Sequence, residues 1–203
     1  MKEKWNERYS QVGFAYGEIP NEFLRSSLAH VPLGKILFPA EGEGRNAIYA
    51  ATLGWDVFAF DLSDEGKKKA LLLADKHQVT IDYQVAEFDQ VSFSQDQFDA
   101  IALIYAHFSA ATKSDYHHIL QSYLKKGGLI IFEAFSKNHL PLRKNNPSVG
   151  GPDDLDMLFS MAEIRSDFED FDILELSENV IELNEGLCHV GTGSVIRFVG
   201  RKK

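Results

Sequence analysis

Apolar and polar positions alternate along the chain in short blocks. Residues 36–38, 55–60, 98–106 and 129–135 are almost unbroken apolar runs. Runs of this length predict strands buried on both faces of a parallel sheet. Between them the period changes to that of a helix. Residues 46–53 end at Gly54, a residue suited to a left-handed helix stop. Ser63 stands as an N-cap ahead of Ala70, Leu73, Ala74 and His77, which recur at i, i+3, i+4 and i+7 and leave Lys67 to Lys69 on the expected wet face. Residues 79–85 alternate weakly and read as a further strand. Tyr116, Ile119, Leu120, Tyr123 and Leu124 make another helical stripe, with Gly127 and Gly128 as its expected stop. Ahead of the first strand, residues 2–10 and 21–30 read as helices, separated by a loop carrying Gly13, Gly17 and Pro20.

After Phe135 the alternation stops. Residues 138–156 are polar and rich in Pro and Gly, which predicts a long loop, and loops of that length are often functional. Ser160 and Glu163 have the spacing of a capping box that opens a short helix to about Phe168. Residues 173–183 and 187–199 read as two strands joined at 184–186, a hairpin. The pattern as a whole predicts an α/β fold, doubly wound with helices on both faces and an antiparallel pair at the end. No composition break divides it. One domain over residues 1–203 is expected, with 1–30 as a helical lid and 31–203 as the core.

The stretch 35–61 carries the chemistry. It reads strand, glycine turn, helix, strand, acid, with Gly42 and Gly44 in the turn and Asp61 closing the second strand. Free N–H groups at a helix start receive acceptor atoms, and an acid at that strand end suits the two hydroxyls of a ribose. A nucleoside-containing cofactor follows. Gly42, Gly44 and Ala47 satisfy G-x-G-x-x-G/A, with Asp61 17 positions after Gly44, so a nicotinamide dinucleotide and S-adenosylmethionine both remain open on pattern. Three features favour the second. No separate domain is present to carry a hydride-transfer substrate. Glu41 and Glu43 crowd the turn, poor company for a pyrophosphate but tolerable beside a sulfonium and an ammonium. The terminal hairpin is the third.

Composition narrows the partners. A formal net charge of -9 argues against sequence-independent nucleic-acid binding and against anionic membrane surfaces. The single Cys188 excludes an internal disulfide and a cysteine-rich zinc site. No apolar run approaches the roughly 18 residues of a membrane span, and the first ten residues lack the apolar core of a secretory signal, so a cytoplasmic protein is expected. His117 and His118 lie on a helix face without partners at metal-ligand spacing.

Taken together, these stretches resemble the class I S-adenosylmethionine-dependent methyltransferases, most closely the small bacterial group allied to tellurite-resistance and thiopurine methyltransferases. The resemblance runs through Trp5-Asn-Glu-Arg8-Tyr9, Tyr16-Gly17, Pro20-Asn21-Glu-Phe23-Leu24, Glu41-Gly-Glu-Gly-Arg-Asn46, Asp61-Leu-Ser63, Phe98-Asp99-Ala100, His107, Gly127-Gly128-Leu129, Gly150-Gly151-Pro152 and Glu185-Gly186…His189-Val-Gly191. It implies a Rossmann-like, seven-stranded, mostly parallel sheet with an antiparallel last strand. It implies S-adenosyl-L-methionine as cofactor and methyl transfer to a small-molecule acceptor by in-line displacement in a closed pocket. Ala40, Glu41, Gly42, Gly44 and Asn46 would run beneath the cofactor, Asp61 would hold its ribose, Leu62 would lie beside adenine, and Glu87 and Phe88 would sit at the adenine amino edge. Trp5 and Arg8 would belong to the lid that closes on the cofactor. Tyr105 and His107 would face the reactive methyl. The chain departs from the class where Phe38 and Pro39 replace an acid and a small apolar residue, Ala40 replaces the first glycine, and Lys126 replaces a proline.

Overall fold

A computed structural model describes residues 1–203. Seven strands form one sheet in the order β3-β2-β1-β4-β5-β7-β6. They are β1 (Lys35–Pro39), β2 (Asp56–Asp61), β3 (Asp82–Val85), β4 (Phe98–Ile104), β5 (Leu124–Phe135), β6 (Phe171–Glu185) and β7 (His189–Lys202). Strands β1 to β5 run parallel, and β7 pairs antiparallel with both β5 and β6. The helices are α1 (Lys2–Tyr9), α2 (Glu22–Leu28), α3 (Arg45–Leu53), α4 (Asp64–His77), α5 (Lys113–Tyr123), α6 (His139–Asn145) and α7 (Met161–Asp167). One apolar layer joins β1 and β2 to α2, α3 and Ala70 of α4; the other joins β4 and β5 to Leu120 of α5 and to Ile164 and Phe168 beside α7. No helix is long and apolar enough to cross a membrane.

The local signals behave as their chemistry dictates. Ser63 Oγ accepts from Gly66 N and caps α4. Ser160 and Glu163 close a reciprocal capping box on α7. Gly54 ends α3 in the left-handed region, φ 101°. Asn21, on the N-terminal side of α2, caps it through Leu24 N.

Four expectations need correction. Residues 138–156 are not a loop: they form α6 and two short 3-10 turns at Pro147–Val149 and Leu155–Met157. Pro141 is compatible because it lies in the first turn of α6, where its missing N–H costs no helical bond. Gly127 and Gly128 do not stop α5, which ends at Tyr123; β5 already starts at Leu124 opposite Phe98 and its register then slips, so that Leu129 faces Ala100. On α5 the inward residues are Lys113, His117 and Leu120, whereas Ile119 is exposed. His117 is tolerated inside because its Nδ1 pairs with Asp167 Oδ2 at 2.7 Å and its ring lies along Phe159 and Phe168. Lys69 is not on a wet face; its ammonium pairs with the buried Glu43 at 2.8 Å.

The strand order reverses between β1 and β4, and ligands of open α/β sheets bind outside the carboxyl ends at such a point. Both strands end there in strained backbone: Ala40 at φ 53° and Tyr105 at φ 53°, left-handed angles that non-glycine residues adopt at a cost of about 1–3 kcal/mol.

Candidate active site

The turn after β1 is held from every side. Glu41 folds its carboxyl back onto the start of α3, where Oε1 accepts from Asn46 N at 3.0 Å and Ala47 N at 2.7 Å. Asp61, at the end of β2, accepts from Gly42 N at 3.1 Å and from Ser63 N at 2.8 Å. Tyr83 Oη donates to Gly42 O at 2.6 Å. A Cβ on Gly42 would fall 2.5 Å from Tyr9 Oη, and one on Gly44 2.6 Å from Ala70 Cβ, so both glycines are fixed by close approach. The sequence-predicted group Ala40, Glu41, Gly42, Gly44, Asn46, Asp61 and Leu62 is thereby brought together. Asn46 is committed to the fold: its Oδ1 accepts from Asn21 N at 2.9 Å.

The electrostatics of this turn decide between cofactors. Burial pushes Glu41 up to about 8 despite its two N–H donors, and pushes Asp61 up to about 6 against bonds from Ser63 and Gly42. The helix terminus that would greet a pyrophosphate is already filled by a carboxyl of the chain itself, with Glu43 and Asp61 beside it. A dinucleotide would add negative charge to that cluster, while a cation would relieve it. The residues present therefore fit a nucleoside that carries positive charge and do not fit the nicotinamide alternative.

The N-terminal segment lies over the turn. Trp5 stacks on Tyr9 with ring centroids 5.4 Å apart, and Arg8 sits 5.1 Å above the Trp5 ring while donating to Tyr16 Oη at 2.7 Å. Asn6 Oδ1 accepts from Ser63 Oγ at 2.6 Å, which ties α1 to the loop after Asp61. Glu87 is exposed, its N–H bonded to Gln90 Oε1. Phe88 stacks flat on Tyr116, 3.8 Å between centroids, and leans on Phe60, the residue before Asp61.

Beyond β4 a group of rings collects around Phe135. Tyr105 lies 4.7 Å from it, His107 5.7 Å, His139 3.9 Å and His189 5.1 Å, centroid to centroid. Their nitrogens differ in use. His107 Nδ1 donates to Met157 O, which leaves Nε2 buried and unpartnered; burial pushes this imidazole down to about 3, so it stays neutral. His139 has both nitrogens on backbone, accepting from Ser194 N and donating to Gly150 O. Tyr105 Oη is likewise buried and unpartnered, and burial with Glu133 and Glu185 nearby keeps its proton on.

His189 is the exception. Its Nδ1 donates to Glu185 Oε2 at 2.9 Å, and Glu185 also receives Arg45 at 3.0 Å and Asn21 Nδ2 at 3.1 Å. Burial raises the Glu185 carboxyl, but the bond from His189 and the charge of Arg45 outweigh it and hold it at about 2. Burial keeps His189 neutral against the pull of Glu185. Asn21 also reaches Glu133 Oε1 at 2.6 Å, whose other oxygen takes Arg197 at 2.6 Å. Reasoning from sequence assigned no chemistry to Arg45, Glu185, His189, Asn21 or Glu133. The signals available were the resemblance stretches that contain Asn21, Arg45, Glu185 and His189, and the i,i+4 spacing of Glu185 and His189 across the hairpin turn.

Residues 36–128 match the family model for a methyltransferase domain. No curated protein matches the chain in sequence. Among solved structures, one titled "Conversion of a Disulfide Bond into a Thioacetal Group during Echinomycin Biosynthesis" superposes with a TM-score of 0.78 at 17% identity, covering 100% of this chain and 92% of that one. TehB from Haemophilus influenzae gives 0.73 at 18% identity over 100% of this chain and 67% of that one. Magnesium protoporphyrin IX methyltransferase (ChlM) from Synechocystis PCC 6803, solved with bound SAH, gives 0.66 at 15% identity over 89% and 81%. At these identities the likeness is one of fold.

Proposed function

We propose that this chain, a methyltransferase that takes S-adenosyl-L-methionine as its cofactor, methylates a small-molecule acceptor held against the Phe135 group of rings. Residues 1–203 act as one domain in the cytoplasm, with 1–30 as its lid. When bound, the cofactor supplies a methyl group activated by a sulfonium. The observation that carries the acceptor reading is the pair of buried, unpartnered polar atoms beside Phe135, Tyr105 Oη and His107 Nε2. Each costs about 1–3 kcal/mol unless a ligand satisfies it, and a small polar acceptor in an aromatic enclosure does so.

The roles of the chain's residues follow from their bonding. Each oxygen of Asp61 accepts one backbone N–H and keeps a lone pair, which suits the two ribose hydroxyls. Leu62 covers adenine, with Glu87 and Phe88 at its amino edge. The strained turn at Ala40, with Gly42 and Gly44, passes beneath the methionine portion, where the Glu41 carboxyl accepts a hydrogen bond from the ammonium. Asn46 secures the lid segment at Asn21, and Trp5 and Arg8 close α1 over the cofactor. Tyr105 and His107 wall the acceptor and exclude water, and most of the rate comes from alignment in that dry space.

His107, held near 3, is too weak a base at neutral pH, which favours a soft acceptor such as a thiolate or a selenium or tellurium oxyanion. This is the chemistry of the tellurite and thiopurine group. The conversion of a disulfide into a thioacetal in echinomycin biosynthesis, the subject of one structure of similar fold, is likewise sulfur chemistry. The Glu185–His189 pair supports a second reading, in which His189 takes a proton from a harder acceptor such as a phenol. Methyl-labelled cofactor and a panel of thiols, selenite, tellurite and small phenols test both. Transfer to thiols or oxyanions that survives His189→Ala supports the first. Transfer to phenols lost in His189→Ala supports the second. Labelling of protein or nucleic acid with no panel member methylated overturns the small-molecule reading.

A further inference from the structure

Lys69 satisfies its ammonium on three acceptors from two different parts of the molecule. Nζ donates to Gln11 O at 2.8 Å, to Gly13 O, and to Glu43 Oε1 at 2.8 Å, and it sits 5.6 Å from the centre of the Phe14 ring. The first two acceptors belong to the segment after α1. The third is the glutamate between Gly42 and Gly44. The other oxygen of Glu43 accepts from Ala15 N at 2.7 Å, and Ala15 O receives Leu187 N at 2.9 Å and Cys188 N at 3.2 Å from the hairpin tip. A continuous chain of bonds thus runs from the cofactor turn, through Glu43 and Ala15, to the loop that joins Glu185 and His189. The Lys69 and Glu43 side chains are only 15% and 3% exposed, so the pair is shielded from salt and water.

We propose that Lys69 is a positioning residue that latches residues 11–15 to the glycine turn, so that cofactor on the turn is transmitted to the Glu185–His189 wall. This rests on the lid reading given above. The physical requirement is a differential one: the latch favours the closed arrangement, and a ligand that also favours it is released more slowly. Three N–H donors meeting three acceptors leave no alternative partner for a lone ammonium, whereas a neutral side chain at 69 leaves Glu43 buried with an uncompensated charge.

The test uses S-adenosylhomocysteine as probe, with its release rate and amide hydrogen exchange as readouts. In the native chain the probe is expected to slow exchange at residues 11–17 and 186–189. In Lys69→Met, release is expected to be at least tenfold faster and both protections to vanish, while β1, β4 and β5 exchange as before. Lys69→Arg is expected to restore most of the protection. Lys68→Met, which removes only an exposed i,i+3 pair with Glu65 on the same helix, serves as the unaffected control. Should Lys69→Met fail to fold, Glu43→Gln keeps the acceptor for Ala15 N and removes the charge, and release at least threefold faster is expected. Full protection and release within twofold of native in Lys69→Met overturn the latch. Absence of protection in the native chain overturns the lid reading itself, and the latch with it.

Discussion

Replacing Glu41 by Gln isolates the cost of its buried carboxyl. Glutamine keeps the carbonyl oxygen that Asn46 N and Ala47 N need, so the start of α3 stays capped. What it removes is the ionisation. In the folded chain Glu41 is pushed up to about 8 from an ordinary 4.5, burial being the main cause. Between those values the folded state holds a proton that the unfolded state has lost, so stability falls as pH rises. The acid pulled to about 6, Asp61, has finished most of its titration by about pH 6.5. The histidines lowered by burial, His107, His139 and His189, contribute below their ordinary value and are flat above it. From about pH 6.5 to 8, Glu41 is therefore the group whose shift sets the slope. One proton is worth about 1.4 kcal/mol per pH unit, tapering near 8, so the native chain loses about 1.5 kcal/mol across this window that the variant keeps. Urea unfolding at both pH values, native against Glu41→Gln, reads this directly. Parallel stability profiles, differing by less than about 0.3 kcal/mol across the window, refute the assignment of a protonated, buried Glu41.

Three further outcomes are expected. Asp61→Asn keeps an acceptor for one backbone N–H but weakens the grip on ribose, and S-adenosylhomocysteine binding measured by calorimetry falls by about 2–4 kcal/mol, the worth of a charge-assisted pair; binding within twofold of native rules out the ribose role. Arg45→Met strands Glu185 among buried groups and lowers unfolding stability by about 3–5 kcal/mol, the usual cost of removing one partner of a buried ion pair; a loss under about 1 kcal/mol in chemical denaturation means the pair is solvated. Ala40→Gly relieves a left-handed residue and raises the midpoint of thermal unfolding, by about 1 kcal/mol in stability, and no gain means the strain is absent.

What the sequence made legible was what local chemistry decides. Apolar run length placed β1, β2 and β4, and caps at Ser63, Ser160 and Gly54 placed the helix ends. The glycine turn and its acid were visible because they lie within one βαβ unit. What stayed hidden depends on partners distant in the chain. Lys69 looked wet because its neighbours in sequence are Lys67 and Lys68, and only the fold brings it Glu43. His117 looked like an exposed face until Asp167 arrived from α7. Residues 138–156 looked like a loop because Pro141 and the flanking glycines suggest one, although proline is harmless in the first turn of a helix. The acceptor side was the least legible part of the site, since Glu185 reaches Arg45 and Asn21 across most of the chain.

That last feature has a kinetic side. Asn21 and Glu185 are 164 positions apart, and the bond between them sits at the centre of the polar group that joins the lid, α3 and the hairpin. Closing a loop of that size must precede any gain from the contacts it brings, so such contacts form late. The βαβ units around β1 and β2 need only neighbours in sequence and are suited to nucleate. The acceptor wall is then the last region to acquire its geometry during synthesis or refolding. A chain that has reached α7 already holds the full parallel sheet and the cofactor turn, yet lacks His189, Glu185 and the anchor for Ala15. Refolding followed by cofactor binding is thus expected to run ahead of refolding followed by turnover, the interval between them being the time the hairpin takes to dock.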